Sequence, residues 1–183
     1  MTGRKVLVAT ALLAMLALPA VAQDNGLYGN IATGIMNNKE TGAGAELKYS
    51  TTNVVGRLGF AFTQNLAVEG EAGFTVAKDS INVSGVSADV GTSHFGLFAK
   101  GSMPVSEKLS VFGRVGAIRG KVSVEALGVE LSESDTAAAF GLGAEYALSE
   151  SMGIRFDVTR AEFSSTDGKT ESMVVTVGTS IKF

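Results

Sequence analysis

The sequence of 183 residues has no cysteine and no tryptophan, only one histidine and only two prolines. Without cysteine an exported chain has neither a disulfide framework nor a thiolate metal site. A single histidine argues against a histidine-rich metal centre, and no cofactor is expected. Basic residues are in the minority, 15 Lys and Arg against 18 Asp and Glu. An acidic balance of this kind makes a poor nucleic-acid binder. Beyond the first 18 residues no run of about 18 apolar residues occurs, so no later membrane-spanning helix is expected. That absence does not bear on strands, whose apolar residues are spread out by alternation.

The amino terminus has a different character. Arg4 and Lys5 precede an apolar run from Val6 to Leu18. Pro19 ends the run, and Ala20-Val21-Ala22 offers small residues to a signal peptidase. Residues Met1 to Ala22 therefore read as a secretory signal peptide, its apolar run shorter than the roughly 20 residues a bilayer needs. Residues 23–183 are expected to form a single domain. Setting aside Arg4 and Lys5 leaves 13 basic residues against 18 acidic ones, a net charge of about −5.

Three tight turns recur at intervals of about 42 residues: Gln64-Asn65, Ser106-Glu107-Lys108 and Ser149-Glu150-Ser151. Each lies between two alternating runs, as repeated up-and-down strand pairs require. Longer polar segments separate them, around Asn37–Thr52, Lys78–Gly91, Gly120–Asp135 and Ser164–Glu171. Eight strands are predicted: Leu27–Met36, Asn53–Thr63, Leu66–Ala77, Thr92–Val105, Leu109–Arg119, Ala137–Leu148, Met152–Phe163 and Ser172–Phe183. The longer loops can extend them, and Val122–Leu131 alternates well enough to do so.

The two faces of these strands differ in chemistry. One carries Leu27, Ile31, Ile35, Leu58, Phe60, Phe74, Phe95, Leu97, Val115, Phe140, Leu142, Ile154 and Phe156 with no charge among them. A charge facing lipid at mid-bilayer costs about 2–4 kcal/mol. The other face carries Arg57, Glu69, Glu71, Lys100, Arg114, Glu145, Arg155 and Asp157, with glycines at 59, 73, 96, 116, 141, 143 and 153. Four bases and four acids can neutralise one another in an interior just wide enough for side chains. The small residues make room for the long ones. Alternation alone also fits the solvated face of a sandwich sheet.

The last stretch, Ser172–Phe183, is a full amphipathic strand ending on an aromatic residue. Thr176, Gly178, Ile181 and Phe183 resemble the assembly signal of outer-membrane β-barrels. With the leader and the turn spacing, the chain resembles the small eight-stranded outer-membrane barrels of Gram-negative bacteria. That group comprises the transmembrane domain of outer membrane protein A, outer membrane protein X, and opacity-type or "porin family" surface proteins. The resemblance implies an all-β, eight-stranded antiparallel up-and-down transmembrane β-barrel, integral to the outer membrane. It implies a non-enzymatic scaffold with a plugged interior, whose surface loops serve adhesion or host contact. No peptidoglycan-binding domain is expected after Phe183. Implied partners are outer-membrane lipid and lipopolysaccharide, plus the barrel-insertion machinery and periplasmic chaperones during assembly.

Continuing the lipid-facing parity to the loop ends gives Lys39, Lys78, Arg119 and Arg160, candidates for contact with lipopolysaccharide phosphates. His94, with Asp79 and Ser80 across its hairpin, is the one constellation that permits catalysis, as in lipid A-modifying barrels. Its spacing does not match the acyltransferase or deacylase patterns. Two other readings stay open: a narrow pore gated by Glu69, Lys100, Arg114, Glu145 and Arg155, and a secreted soluble β-sandwich or lipocalin-like carrier.

Overall fold

Period-two alternation has a structural consequence only if one face is hidden from water or exposed to lipid, and the computed structural model shows which. It describes residues 26–42, 45–83, 86–126, 129–164 and 168–183. The expected leader, Met1 to Ala22, lies outside the described residues. Nine strand segments follow in order: β1 (Gly26–Gly42), β2 (Ala45–Ala61), β3 (Leu66–Ala77), β4 (Asp79–Val83), β5 (Val86–Pro104), β6 (Leu109–Ala126), β7 (Val129–Ala147), β8 (Met152–Ser164) and β9 (Gly168–Lys182). All pairings are antiparallel, in the order β3-β2-β1-β9-β8-β7-β6-β5-β4, and β3 also pairs with β5. The sheet therefore closes, and β3 with β4 forms one wall strand interrupted at Lys78. The barrel has eight strands, and no helix occurs among the described residues.

Closure needs the first and last strands to meet. β1 and β9 pair from Tyr28↔Lys182 to Gly42↔Gly168. Gly34 and Gly178 permit this seam: a Cβ on Gly34 would collide with the Val175 carbonyl, and one on Gly178 with the Ile31 carbonyl. A register shift between Thr52 and Asn53 leaves Val76 of β3 without an opposite residue, a bulge just before the interruption.

The strands run farther than expected at one end. β1 continues from Met36 to Gly42, β2 begins at Ala45 rather than Asn53, β6 runs to Ala126 and β7 begins at Val129. Much of what reads as polar loop is thus paired strand. In the extensions of β1 and β2 the inward Asn38, Tyr49 and Thr51 are buried while the outward Asn37, Lys39, Lys48 and Ser50 are polar, so the apolar outward face that marks a strand is missing there although the backbone pairing continues.

At the other end the three turns share one device. Thr63 Oγ1 accepts from the backbone N–H of Asn65 (3.2 Å) and Leu66 (3.0 Å). Ser106 Oγ accepts from Lys108 (3.4 Å) and Leu109 (3.1 Å), and Ser149 Oγ accepts from Met152 (3.1 Å). A hydroxyl three residues before each returning strand satisfies donors that a tight turn would otherwise leave open.

The burial pattern inverts that of a soluble protein. Ile31, Leu58, Phe95, Phe140 and Leu142 are all more than half exposed, whereas Arg155, Glu69 and Asp157 are almost wholly buried. A continuous apolar exterior around a polar core suits a hydrocarbon surround and excludes a sandwich whose greasy faces pack together.

Room for the core depends on particular glycines. A Cβ on Gly143 would fall on the Phe112 ring and the Phe156 carbonyl, while one on Gly56, facing outward, meets nothing within 4 Å. Gly143→Ala is expected to lower the urea midpoint of the detergent-folded barrel by an amount typical of overpacking, about 1–3 kcal/mol. Gly56→Ala should leave it within about 0.5 kcal/mol. Equal effects of the two would contradict this assignment of faces.

Candidate functional site: the ion-paired lumen and the polar rim

Strand alternation turns one residue in two toward the axis, so the charges of six strands converge in a single lumen. Asp157 on β8 lies at its centre and is fully buried. Its Oδ1 accepts from Arg114 Nη2 (3.1 Å) and Arg57 Nη2 (3.3 Å). Its Oδ2 accepts from Thr176 Oγ1 (3.0 Å) and Arg155 Nε (3.2 Å). Three guanidiniums from three strands thus share one carboxylate.

Two further acids balance them. Glu69 is held bidentately by Arg155, at 2.6 and 3.1 Å, and accepts from the Tyr28 hydroxyl at 2.7 Å. Glu71 joins Arg57 (2.5 Å) and Arg114 (2.6 Å). Lys100 Nζ stands 3.5 Å from both Glu69 and Glu145, and Glu145 also accepts from Ser180 Oγ at 2.8 Å. Asn30 completes the set, its Oδ1 accepting from Arg57 Nη1 at 2.7 Å. All eight charges singled out in the sequence lie in this one network. Bidentate and shared contacts of this kind are the strong form of buried ion pair.

The aromatic members escape a search for charges. Phe112 lies between two cations, Arg155 at 4.3 Å and Lys100 at 4.6 Å from the ring centroid, and Phe98 lies 4.4 Å under Arg114. Tyr28 flanks Lys100 at 5.0 Å. Rings in such positions neutralise part of a cation's field without a second carboxylate. The sequence signal was available: Phe98 and Phe112 each precede an inward cation by two residues and so share its face. Beside them Phe98, Ile118, Ala137, Ala139 and Ala161 form an apolar cluster against which Phe163 packs. Toward the loop end Thr51, Asn53, Thr75 and Thr92 bond to one another. Below the ion pairs a cup of about 640 Å³ opens at the turn end, reaching Tyr28, Lys100 and Glu145.

His94 is inside the barrel rather than at a loop base. It is buried, its ring stands against Gly73, and its Nε2 lies 3.2 Å from Glu71 Oε1 without hydrogen-bond alignment. The side chains of Asp79 and Ser80 lie outside the described residues. Their backbones pair with Val90 and Asp89, four and five residues from His94 along β5. Among the described residues no group of three or more His, Asp or Glu is placed to hold a metal ion.

The four rim cations do not form a ring of equals. Lys39 and Arg160 border one shallow groove with Lys48 and Glu171. Lys78 is on another part of the wall, 3.1 Å from Glu125, and Arg119 donates to Ser134 Oγ at 3.2 Å. Arg160 itself bridges Glu162 (2.9 Å) and Glu171 (3.2 Å), and Lys169 bridges the same two at 3.0 and 3.4 Å. Lys169 and, less strongly, Arg160 hold the exposed Glu162 carboxyl below its usual range. Nearby, burial first and the charge of Glu40 second push the Tyr49 hydroxyl up to about 12.

Of the terminal residues, Thr176 points inward to Asp157 and Gly178 lies on the seam with β1. Ile181 and Phe183 face outward, and the Phe183 N–H donates to the Leu27 carbonyl at 3.0 Å.

Removing one partner of a buried pair strands the other charge. Asp157→Asn and Arg155→Met are each expected to destabilise the folded barrel by about 3–5 kcal/mol, read as a fall in its denaturant midpoint in detergent micelles. The exposed pair is the control: Glu162→Gln should leave the midpoint indistinguishable from wild type.

Residues 8–183 match the outer membrane protein β-barrel domain. Outer membrane protein A of Serratia marcescens is 27% identical over 176 residues, covering 87% of this chain. The chain spans 45% of that relative's length. Among solved structures, Neisserial surface protein A superposes with a TM-score of 0.67 at 13% identity, over 85% of this chain and 97% of its own. Ail, the attachment invasion locus protein of Yersinia pestis, in complex with the heparin analogue sucrose octasulfate, gives 0.56 at 18% identity, over 85% and 99%.

Proposed function

Because the chain belongs to the outer membrane protein β-barrel domain family, and so is an integral protein of the bacterial outer membrane, we propose that it is a closed, non-enzymatic scaffold that carries surface hairpins and supports the envelope. The observation behind this reading is the filled lumen. Arg155, Phe98, Glu69, Val55, Val90, Asn53, Thr51, Thr176 and Asp157 are all fully buried. An eight-stranded barrel so filled leaves no wide aqueous path. His94 is enclosed with Glu71 and faces no loop, which speaks against catalysis.

The hairpins β1–β2, β4–β5, β6–β7 and β8–β9 stand on a rigid wall, the arrangement on which recognition commonly rests. Adhesion is the favoured use of these hairpins, with Ail and its heparin-analogue complex as precedent for the architecture. On this reading Met1–Ala22 is the export leader. The outward pair Ile181 and Phe183 is then what the insertion machinery meets, and rim cations including Lys39, Lys78, Arg119 and Arg160 face lipopolysaccharide.

The protein in outer-membrane fractions is expected to resist carbonate and urea washing and to shift in gel mobility on boiling. Reconstituted into vesicles, it should leave the swelling rate in small sugars at the protein-free baseline. Solute entry proportional to the amount of protein would instead favour the pore reading.

A further inference from the structure

The two ends of the barrel are finished differently. At the turn end each turn is tied to the neighbouring strand. Ser102 N–H donates to the Asn65 carbonyl at 2.7 Å, Ala147 N–H to that of Lys108 at 2.7 Å, and Lys182 N–H to that of Ser151 at 2.9 Å. At the loop end one ladder stops early. β7 stays paired with β6 as far as Ala126↔Val129, but its pairing with β8 ends at Ala138↔Glu162. Among the described residues, no strand pairs with residues 129–137 on the side away from β6. β2 beyond Thr52 also lacks a ladder on its β3 side, but there β4 packs beside it.

The open edge is a row of main-chain groups. Ala147 N–H bonds toward β6 and Leu148 N–H toward β8, and neither ladder of β7 carries a register shift. Odd-numbered residues therefore turn N–H and C=O to β6, and even-numbered residues turn theirs away. Ser132, Ser134 and Thr136 thus present donors and acceptors to the open side. The Thr136 N–H donates to its neighbour Asp135 Oδ1 at 2.7 Å, a local side-chain substitute for a ladder bond. Leu131, Ser132, Glu133, Ser134, Asp135 and Thr136 are all exposed. Several usual protections of an edge are missing, since residues 129–137 contain no proline, no lysine and no bulge.

What the edge does carry is negative charge. Leu131, Glu133 and Asp135 share the axis-facing side. Across the β6–β7 ladder Glu133 faces Val122 and Asp135 faces Gly120, so neither acid has a base opposite it. This charge rejects a second copy of the chain: two such edges paired about Ser134 would set Glu133 against Asp135 twice, like charges directly opposite. It suits a strand with Lys or Arg at alternate positions. We propose that residues 129–137 of β7 receive an extended basic segment of a partner protein as an added antiparallel strand. Its main chain pairs with Ser132 and Ser134, and its cations stand beside Glu133 and Asp135. Main-chain pairing supplies affinity, and the two acids select the sequence. The proposal rests on the surface placement of the hairpins and names the kind of partner that the β6–β7 hairpin takes.

The test uses the full mature chain refolded in nanodiscs and, as probe, a peptide of about ten residues alternating Thr and Lys. Binding should slow backbone amide exchange at Ser132 and Ser134 by about tenfold or more, read by NMR, and leave the amides of the turn end unchanged. N-methylation of the peptide at its Thr residues keeps the charge and removes the donors that face β7, and should weaken binding about tenfold or more. A peptide alternating Thr and Glu should leave exchange unaltered. Ser132→Pro takes one donor from the open side without touching the β6 ladder, and Glu133→Gln with Asp135→Asn removes the selecting charge. Each should weaken the Lys peptide by about fivefold or more. Equal affinity of the methylated and unmethylated peptides would reduce the contact to charge alone and overturn strand addition. Equal affinity of the basic and acidic peptides would overturn the partner's chemistry. Protection of Ser132 and Ser134 that grows with protein concentration in the absence of peptide would assign the edge to a second copy and overturn the proposal. Where Ser132→Pro does not fold, the methylated peptide on wild type decides alone. Failure of the peptide with the gel-mobility shift intact counts against the edge, whereas loss of the shift in wild type counts against the scaffold reading.

Discussion

Asp157 sets the terms for everything around it. A carboxylate at the centre of a barrel, far from bulk water, is tolerable only if its lone pairs are fully occupied. Arg57, Arg114 and Arg155 occupy them, and those three guanidiniums then bring their own excess of charge. Glu69 and Glu71 balance it, and the rings of Phe98 and Phe112 stack on the guanidiniums of Arg114 and Arg155. The composition of each strand's inner face follows from this mutual compensation. No member can be altered alone without leaving a partner buried and unmatched.

The same arrangement explains why the wall can be wholly apolar outside. In a soluble domain burial of hydrophobic side chains drives collapse. Here hydrocarbon takes the place of that core, and specificity passes to the polar interior. Cross-strand contacts such as Arg57 to Asp157 and Arg155 to Glu69 join positions 100 and 86 residues apart. They define one register of closure, since a slip by one residue would turn the charges toward lipid.

Much of this was readable in the order of residues because two signals coincide. Outward apolar positions and inward charges share one period, and turns such as Ser106-Glu107-Lys108 and Ser149-Glu150-Ser151 recur at one spacing. The eight inward charges needed only parity to be found. Their pairing did not follow, since parity says which face Lys100 occupies but not that it stands equally far from Glu69 and Glu145. Phe98 and Phe112 were hidden because an inward aromatic looks like an error against an apolar exterior, until the cation two residues along is considered; Tyr28, followed two residues on by Asn30, gave no such signal. The reach of β1 to Gly42 was understated because its outward positions there, such as Asn37 and Lys39, are polar and carry no apolar contrast, whereas the alternation of Val122–Leu131 already hinted at the reach of β6 to Ala126. The division of the rim cations required the register itself, which places Lys39 beside Lys48 and leaves Lys78 elsewhere.

The inequality between the two ends of the wall carries a directional consequence. The hydroxyl-braced turns are short and can remain on the side from which the chain arrives. The hairpin formed by β6 and β7 cannot. Its far end carries Lys121, Glu125, Glu133 and Asp135, and with the hairpins at the cell surface, as proposed, these charges have to pass the hydrocarbon layer. A closed, ion-paired barrel offers no conduit for that passage. On the scaffold reading, the charged hairpin ends are then delivered while the β1–β9 seam is still open, and pairing of β1 with β9 closes that route.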